Sequence, residues 1–473
     1  MKQLSDFHPM TDLGNAERFA ERCAHFVRYA EDRGEWLIWQ SPVWKRGAMS
    51  ALYEYAKATI RGIEDECAQL NDAPNIDAAT GKVRASDQQK MRSHAVASEG
   101  RTRLDSMLAL ASRHPAISCQ SSAFDRAYWD LNTPGGIYNL QHDGDFIPSK
   151  PEGMHTLCTA VAPNWFQPTP TWDAFLSQIT CGDVELRAYL QRACGLTLIG
   201  VQRDHLFLFL FGDGRNGKGT FLNTLCDVLG SYAMTLAPDV LIEKRGDSHP
   251  TELADLEGKR LAIGTEVPRG SAWNEVRIKM LSGGDKVRAR KMRQDFYEFD
   301  ASHTFWVSGN DKPRIKGTDA GIWRRVRLVP FSANIAPEDV DPDLPAKLAA
   351  EAPGILSWML DGCAAYLQHT LGTCAAVEDA TEGYKKDEDF IGSFIEDCCI
   401  VAPERKAVKS AFREQLRAWL EEREYRPVSD RQLKADLLKR GIREARDGAY
   451  APWEWVGVGL RESSAYGTAR GWQ

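Results

Sequence analysis

Residues 205–220, HLFLFLFGDGRNGKGT, constrain this chain more than any other stretch. An apolar run breaks into a glycine-rich loop that ends in lysine and threonine. Gly212, four residues, then Gly217-Lys218 fit the pattern G-x-x-x-x-G-K. His205–Phe211 reads as a buried strand, and Phe221–Leu229 as the start of a helix. Gly212, Gly214 and Gly217 let the backbone turn with its N–H groups aimed inward at an anion. Lys218 can reach the terminal phosphates, and the helix N-terminus faces them. The competing reading is a chance glycine-rich turn. The strand before, the helix after and Lys218 in place argue against it. Gly219 stands where the Mg²⁺-binding Ser or Thr usually stands, and Thr220 follows one residue later. The segment points to binding and hydrolysis of a nucleoside triphosphate.

A chain of 473 residues has room for about three domains. Its net charge of −7 gives no global basic signal, so any nucleic-acid site must be local. The 11 cysteines are odd in number and contain no C-x-x-C pair, which fits a reduced, intracellular protein without a zinc site. No apolar signal core or long apolar stretch occurs, so a cytoplasmic protein with no membrane partner is expected.

Periodicity divides the chain into a mixed α+β region over 1–150, a helical lead-in and α/β region over 171–368, and a tail over 385–473. Asp12 is expected to cap a helix over Asn15–Ala30. Glu35–Trp39 and Val43-Trp44 suggest a hairpin with its tryptophans on one face, and Ala48–Leu70 a long amphipathic helix. Pro148–Pro170 and Leu371–Tyr384 read as linkers. Strands at 205–211, 260–265, 303–308 and 326–331 alternate with helical patterns, which predicts a mainly parallel sheet. The tail suggests two or three helices and a tryptophan-rich strand pair over Ile442–Leu460.

Glu266 ends the second of these strands, where a carboxylate can orient water or hold Mg²⁺. Strand-end carboxylates are also common without such a role. Asn310 ends the third. Its amide could bond a γ-phosphate and the attacking water, or simply form a turn before Pro313. Arg324 and Arg325 open the next strand, either as a solvated pair or as phosphate contacts. Residues 279–293, KMLSGGDKVRARKMR, hold six basic residues against one acidic residue, Asp285. Lys286, Arg288, Arg290 and Lys291 could form a basic hairpin for nucleic-acid phosphates, or a solvated strand face. Residues 401–473 carry 15 Lys+Arg against 11 Asp+Glu, or +4. A helix from Ser429 to Arg440 followed by a ribbon suggests a winged helix that binds DNA or protein.

Together these segments resemble superfamily 3 helicases of the phage and plasmid primase–helicase family, related to the poxvirus primase-NTPase. GDGRNGKGTF is similar to the family's Walker A element, KRLAIGTEVP to its Walker B, and MLSGGDKVRARKMRQDFYEF to its B-prime segment. FWVSGNDKPRIKGTDAGIWRRVRLVPF resembles the sensor asparagine and arginine-finger region. DLGNAERFAERCAHFVRYAEDRGEWLIWQ resembles the domain that precedes this helicase. The resemblance implies an AAA+-like P-loop ATPase core between the N-terminal α+β domain and the C-terminal winged helix. It implies ATP and Mg²⁺ as cofactors. Gly212, Gly214, Asn216, Gly217, Lys218, Gly219, Thr220 and Phe221 would bind the nucleotide, and Thr220 and Glu266 would hold the metal. Glu266 would activate water, Asn310 would sense the γ-phosphate, and Arg325, or else Arg324, would act on a neighbour's ATP. The implied partners are single-stranded and forked DNA, further copies in a ring, usually a hexamer, and a primase on a separate chain. The implied setting is phage, prophage or plasmid replication in a bacterial cell. Two other readings remain: an ATP-switched initiator or loader, and a small-molecule kinase for which no acceptor motif is evident.

Overall fold

The computed structural model describes residues 2–76, 82–141, 146–237, 240–243, 251–265, 267–291, 295–315, 320–423, 425, 427–448 and 450–461. The N-terminal part packs helices Asp12–Cys23, Met49–Arg61, Ile63–Cys67, Asp87–Ser98 and Arg101–Ala111 around a core that includes Phe19, Leu52, Ile60 and Met107. The cap of the first helix is Thr11, whose hydroxyl accepts from the Gly14 N–H at 3.1 Å, and not Asp12. That helix also stops at Cys23 and does not reach Ala30. Val27–Ala30 instead forms a strand between Glu35–Gln40 and Ser118–Cys119, and pairing on both sides outweighs its helical pattern. The expected hairpin is present, with Trp39 opposite Trp44. Trp36 lies three residues from Trp39, so it faces the other side of the sheet, against Tyr29 and Phe19. Residues 148–170 have little regular structure but are docked. The His155 carbonyl accepts from the Trp44 N–H at 2.8 Å, and the Ala160 N–H donates to the Val228 carbonyl at 3.1 Å.

The central domain runs β1 (Phe207–Phe211), α1 (Lys218–Leu229), β2 (Ala233–Leu236), β3 (Leu261–Gly264), α2 (Glu275–Leu281), β4 (Lys286–Ala289), β5 (Tyr297–Asp300), β6 (Thr304–Gly309) and β7 (Val326–Pro330). Five strands form one parallel sheet in the order β2-β3-β6-β1-β7. Both faces are covered, which explains why the strands read as continuous apolar runs. Leu208, Leu210 and Trp306 pack toward α1 and the helices Pro170–Ile179, Val184–Thr197 and Ala352–His369. Phe207, Phe209, Phe305 and Val307 pack on the other face, with Trp273. The short edge strand β2 was not evident from the sequence.

Leu371–Tyr384 is not a linker: Ala375–Glu388 is a helix laid along β7. The Leu328 N–H donates to its Thr381 hydroxyl at 3.0 Å, and buried Tyr384 accepts from Trp273 Nε1 at 3.1 Å. The tail forms the helix Phe390–Cys398, strand Cys399–Val408, helices Lys409–Glu422 and Asp430–Lys439, and strands Arg443–Ala445 and Glu454–Leu460. Its strands make one antiparallel sheet with Glu454–Leu460 in the middle, so the expected strand pair has a third member, Cys399–Val408. Among the described residues no helix is long and apolar enough to cross a membrane.

Candidate nucleotide site and basic hairpin

The loop between β1 and α1 leaves the sheet at the carboxyl ends of its parallel strands, where open α/β sheets place ligands. Two of its glycines are required by geometry. A Cβ at Gly212 would lie 2.2 Å from the Phe331 carbonyl oxygen. Gly217 has φ +83° and caps α1, and a Cβ there would lie 2.5 Å from Ile179 Cγ2. Gly214 and Gly219 face open space.

Lys218 opens α1 yet is only 7% exposed, because its side chain folds back under the loop. Its Nζ donates to the Gly212 carbonyl at 2.6 Å, to Asn216 Oδ1 at 3.1 Å and to Asn310 Oδ1 at 3.1 Å. Asn216 is buried, and its Nδ2 donates to the Phe331 carbonyl at 3.0 Å, which turns its oxygen toward the ammonium. Burial lowers the Lys218 pKa, and nearby Asp213 opposes that shift. Asn310 arrives from the end of β6, which pairs directly with β1. Thus Gly212, Asn216, Lys218 and Asn310 converge.

Thr220 is half-buried in the first turn of α1. Its carbonyl accepts from the Thr224 hydroxyl at 2.8 Å, and its own hydroxyl has no protein partner among the described residues. Phe221 does not join the site. Its ring is fully buried against Trp172, Trp306 and Phe331, and its N–H donates to the Gly217 carbonyl at 2.9 Å. Glu266 lies outside the described residues; Thr265, just before it, follows the end of β3.

Arg324 and Arg325 sit at the opposite end of the sheet. The Arg325 carbonyl accepts from the Phe207 N–H at 2.8 Å, beside the start of β1, whereas the glycine loop follows its end, roughly 13 Å along the strand. Arg325 Nη1 donates to the Gly321 carbonyl at 2.8 Å, while its Nε is buried without a partner among the described residues. Arg324 is exposed.

The basic segment inserts between β3 and β6 as the hairpin β4–β5, with Arg288 opposite Glu298. Val287 and Ala289 face the core, and Lys286 and Arg288 face out. The guanidinium groups of Arg288 and Arg290 lie 4.7 and 5.0 Å from the ring of Phe296, which is 46% exposed. Sequence reasoning missed Phe296; an aromatic between the basic run and the second strand was the available signal. Lys291 turns the other way, to Glu35 of the N-terminal domain at 3.6 Å. Lys279 is not in the hairpin but on α2, and Arg293 lies outside the described residues.

In the tail, Ser429 caps the helix Asp430–Lys439. Arg431, Gln432 and Arg440 line a cleft of about 920 Å³ against the central domain, whose side carries Arg314 and Glu388. Lys434 instead pairs with Glu444 at 2.6 Å within the tail.

Residues 16–181 match a family model described as "D5 N terminal like", and residues 210–325 match a family of unknown function, DUF5906. "Putative helicase L207/L206" of Acanthamoeba polyphaga mimivirus is 27% identical over 246 residues, 47% of this chain and 26% of its own length. "Putative primase C962R" of African swine fever virus (strain Badajoz 1971 Vero-adapted) is 23% identical over 267 residues, 51% of this chain and 28% of its own length. The apo structure of the NrS-1 C terminal region (305–718) superposes with a TM-score of 0.53 at 10% identity, covering 95% of this chain and 99% of that one. These matches support a place for the chain among phage and viral primase–helicase proteins. It spans about a quarter of the length of these curated relatives. The NrS-1 likeness extends over nearly the whole chain.

Proposed function

We propose that this chain is an ATP-driven, ring-forming motor that translocates on single-stranded DNA during replication. The observation that carries the reading is one sheet bearing two devices. Lys218, Asn216 and Asn310 meet under a glycine loop at its carboxyl edge, and an Arg–Phe–Arg hairpin is inserted between two of its strands. An AAA+-like ATPase core accounts for both. In this reading the loop N–H groups and the start of α1 cradle the phosphates. Lys218 exchanges its carbonyl and amide partners for phosphate oxygens, and Asn310 passes from Lys218 to the γ-phosphate or the attacking water. The open space at Gly214 and Gly219 and the unengaged Thr220 hydroxyl fit a metal-bound triphosphate. Bound Mg²⁺ would neutralise charge on the transferring phosphoryl group. Glu266 would take the proton from water.

Arg325 cannot reach its own chain's loop from the far end of the sheet, which supports a role toward a neighbouring subunit's nucleotide, as in a hexamer. The exposed Phe296 ring offers a stacking surface and the flanking arginines offer phosphate contacts, a combination suited to single strands. The helix–strand–helix–helix–strand–strand order of the tail supports a winged helix.

The test is DNA-stimulated ATP hydrolysis together with strand displacement on a forked duplex. The alternative, an ATP-switched initiator or loader, is favoured by the capped helix of the tail with Arg431 near its start. It predicts DNA binding and assembly with ATP but no displacement.

A further inference from the structure

A cleft of about 730 Å³ runs between the N-terminal domain, the docked 148–170 segment and the root of the hairpin. Eight lysines and arginines line it against five carboxylates, a local excess of +3 in a chain of net −7. Three of the five carboxylates are engaged. Glu257 accepts from both terminal nitrogens of Arg33 at 2.8 and 2.6 Å, and Asp300 accepts from the Tyr128 hydroxyl at 3.3 Å. Asp125 accepts from the Thr156 N–H and hydroxyl. Several cations are not engaged. The side chains of Lys45, Arg126 and Lys286 make no ion pair or hydrogen bond among the described residues, and all three residues are exposed. Arg46 and Lys291 share Glu35 at 3.8 and 3.6 Å, too far for either to hold it firmly.

A second feature points to a ligand. His155 lines the cleft and is only 2% exposed, yet its Nε2 has no hydrogen-bond partner among the described residues, with Asp130 at 3.9 Å. A buried ring nitrogen without a partner is costly unless something occupies the space before it. The cleft also adjoins the hairpin. Lys286 lines it and lies on the same face of β4 as Arg288, two residues along.

We propose that this cleft binds the phosphodiester backbone of the single strand held at the hairpin, with Lys45 and Arg126 of the N-terminal domain as phosphate contacts. The proposal rests on the reading of the hairpin as a single-strand grip. The N-terminal domain then serves as part of the DNA track, and the Arg33–Glu257 pair holds it against the motor.

The experiment measures affinity of the full chain for fluorescent oligothymidylates of two lengths, as a function of salt. For Lys45→Ala with Arg126→Ala, the slope of log K against log salt should fall by about 1.4, since each single-strand phosphate contact contributes about 0.7. Affinity should fall about tenfold for a long oligomer and little for one that spans only the hairpin. Lys45→Glu with Arg126→Glu should deepen the effect at an unchanged melting temperature. An unchanged slope in both variants, while Arg288→Ala with Arg290→Ala lowers it, overturns the cleft but leaves the motor reading standing. If neither pair alters the slope, the hairpin reading fails as well. If inorganic pyrophosphate binds the wild type, not the cleft variants, and the oligomer slope stays unchanged, the cleft holds a small phosphate and the proposal is wrong.

Discussion

Lys218 Nζ lies 3.1 Å from Asn310 Oδ1, although 92 residues separate them in sequence. Parallel pairing of β1 with β6 creates this contact by bringing two strand ends side by side. It gives the loop lysine a neutral partner that competes weakly with a phosphate. A carboxylate in that place would hold the ammonium more tightly.

Asn310→Ala should therefore leave ATP binding within about threefold of wild type and lower turnover by roughly a hundredfold, the scale for removing one transition-state donor. Lys218→Ala should lose both binding and turnover. Nucleotide affinity by calorimetry beside steady-state phosphate release separates the two. A large loss of affinity in Asn310→Ala would make that residue a positioning group for Lys218.

Legibility from the sequence followed how local the determinant was. The glycine loop could be read because Gly212 and Gly217 answer to backbone geometry within a few residues. Asn310 could be read because an apolar run ends in it. The helix Ala375–Glu388 was missed because only Val377 and Tyr384 are buried on it, and the partners of Thr381 and Tyr384 lie 50 or more residues away. Val27–Ala30 looked helical until strands on both sides claimed it. Lys291 looked equivalent to its basic neighbours, and only the docking of the N-terminal domain gave it Glu35.

Thr220→Ala should raise the Mg²⁺ concentration needed for half-maximal turnover several-fold, because Gly219 has no hydroxyl to substitute. Gly219→Ser should be accepted without loss of stability, since among the described residues nothing beyond its chain neighbours and its own helix backbone lies within 4 Å of an added Cβ. Metal titrations and thermal melts check both. An unchanged metal requirement in Thr220→Ala would assign the metal to other groups and water.

Acid should weaken the fold through His303. Its ring is completely buried against Phe305, and burial, opposed only by the Leu281 backbone, pulls its pKa from 6.5 down to about 4. The unfolded chain thus takes up a proton below pH 6.5 that the folded chain refuses until about pH 4. Stability is complete above the unfolded value and is lost as pH falls through that window, at about 1.4 kcal/mol per pH unit. His303→Phe should remove roughly 2 kcal/mol of the loss between pH 7 and pH 5, read by urea unfolding. An identical pH slope in the variant would show that other groups carry the acid sensitivity.

Arg325→Ala should be inactive alone but should restore partial turnover when mixed with Lys218→Ala. In a mixed ring some interfaces combine Lys218 of one subunit with Arg325 of the next. The position of Arg325 beside Phe207, at the far end of β1 from the loop, is the reason to expect this. Mixed assemblies confirmed by native mass and lacking any turnover would rule out action across an interface.

The last prediction separates motor from switch. Phe296→Ala should weaken single-strand binding by about 1–3 kcal/mol, the range for loss of one base-stacking ring, with little change in salt dependence. Arg288→Ala with Arg290→Ala should instead flatten the salt dependence, because each lost phosphate contact releases fewer counterions. The two variants attack one contact by different physics, since both guanidinium groups lie within about 5 Å of the same ring. If the hairpin couples ATP to strand movement, both should lose DNA-stimulated turnover and unwinding in parallel. Removing the tail from Phe390 onward should cut duplex binding and spare the single-strand response. Normal unwinding in both hairpin variants, with all DNA binding lost on removal of the tail, would make the hairpin a solvated surface. The ATP-switched initiator would then be the better account.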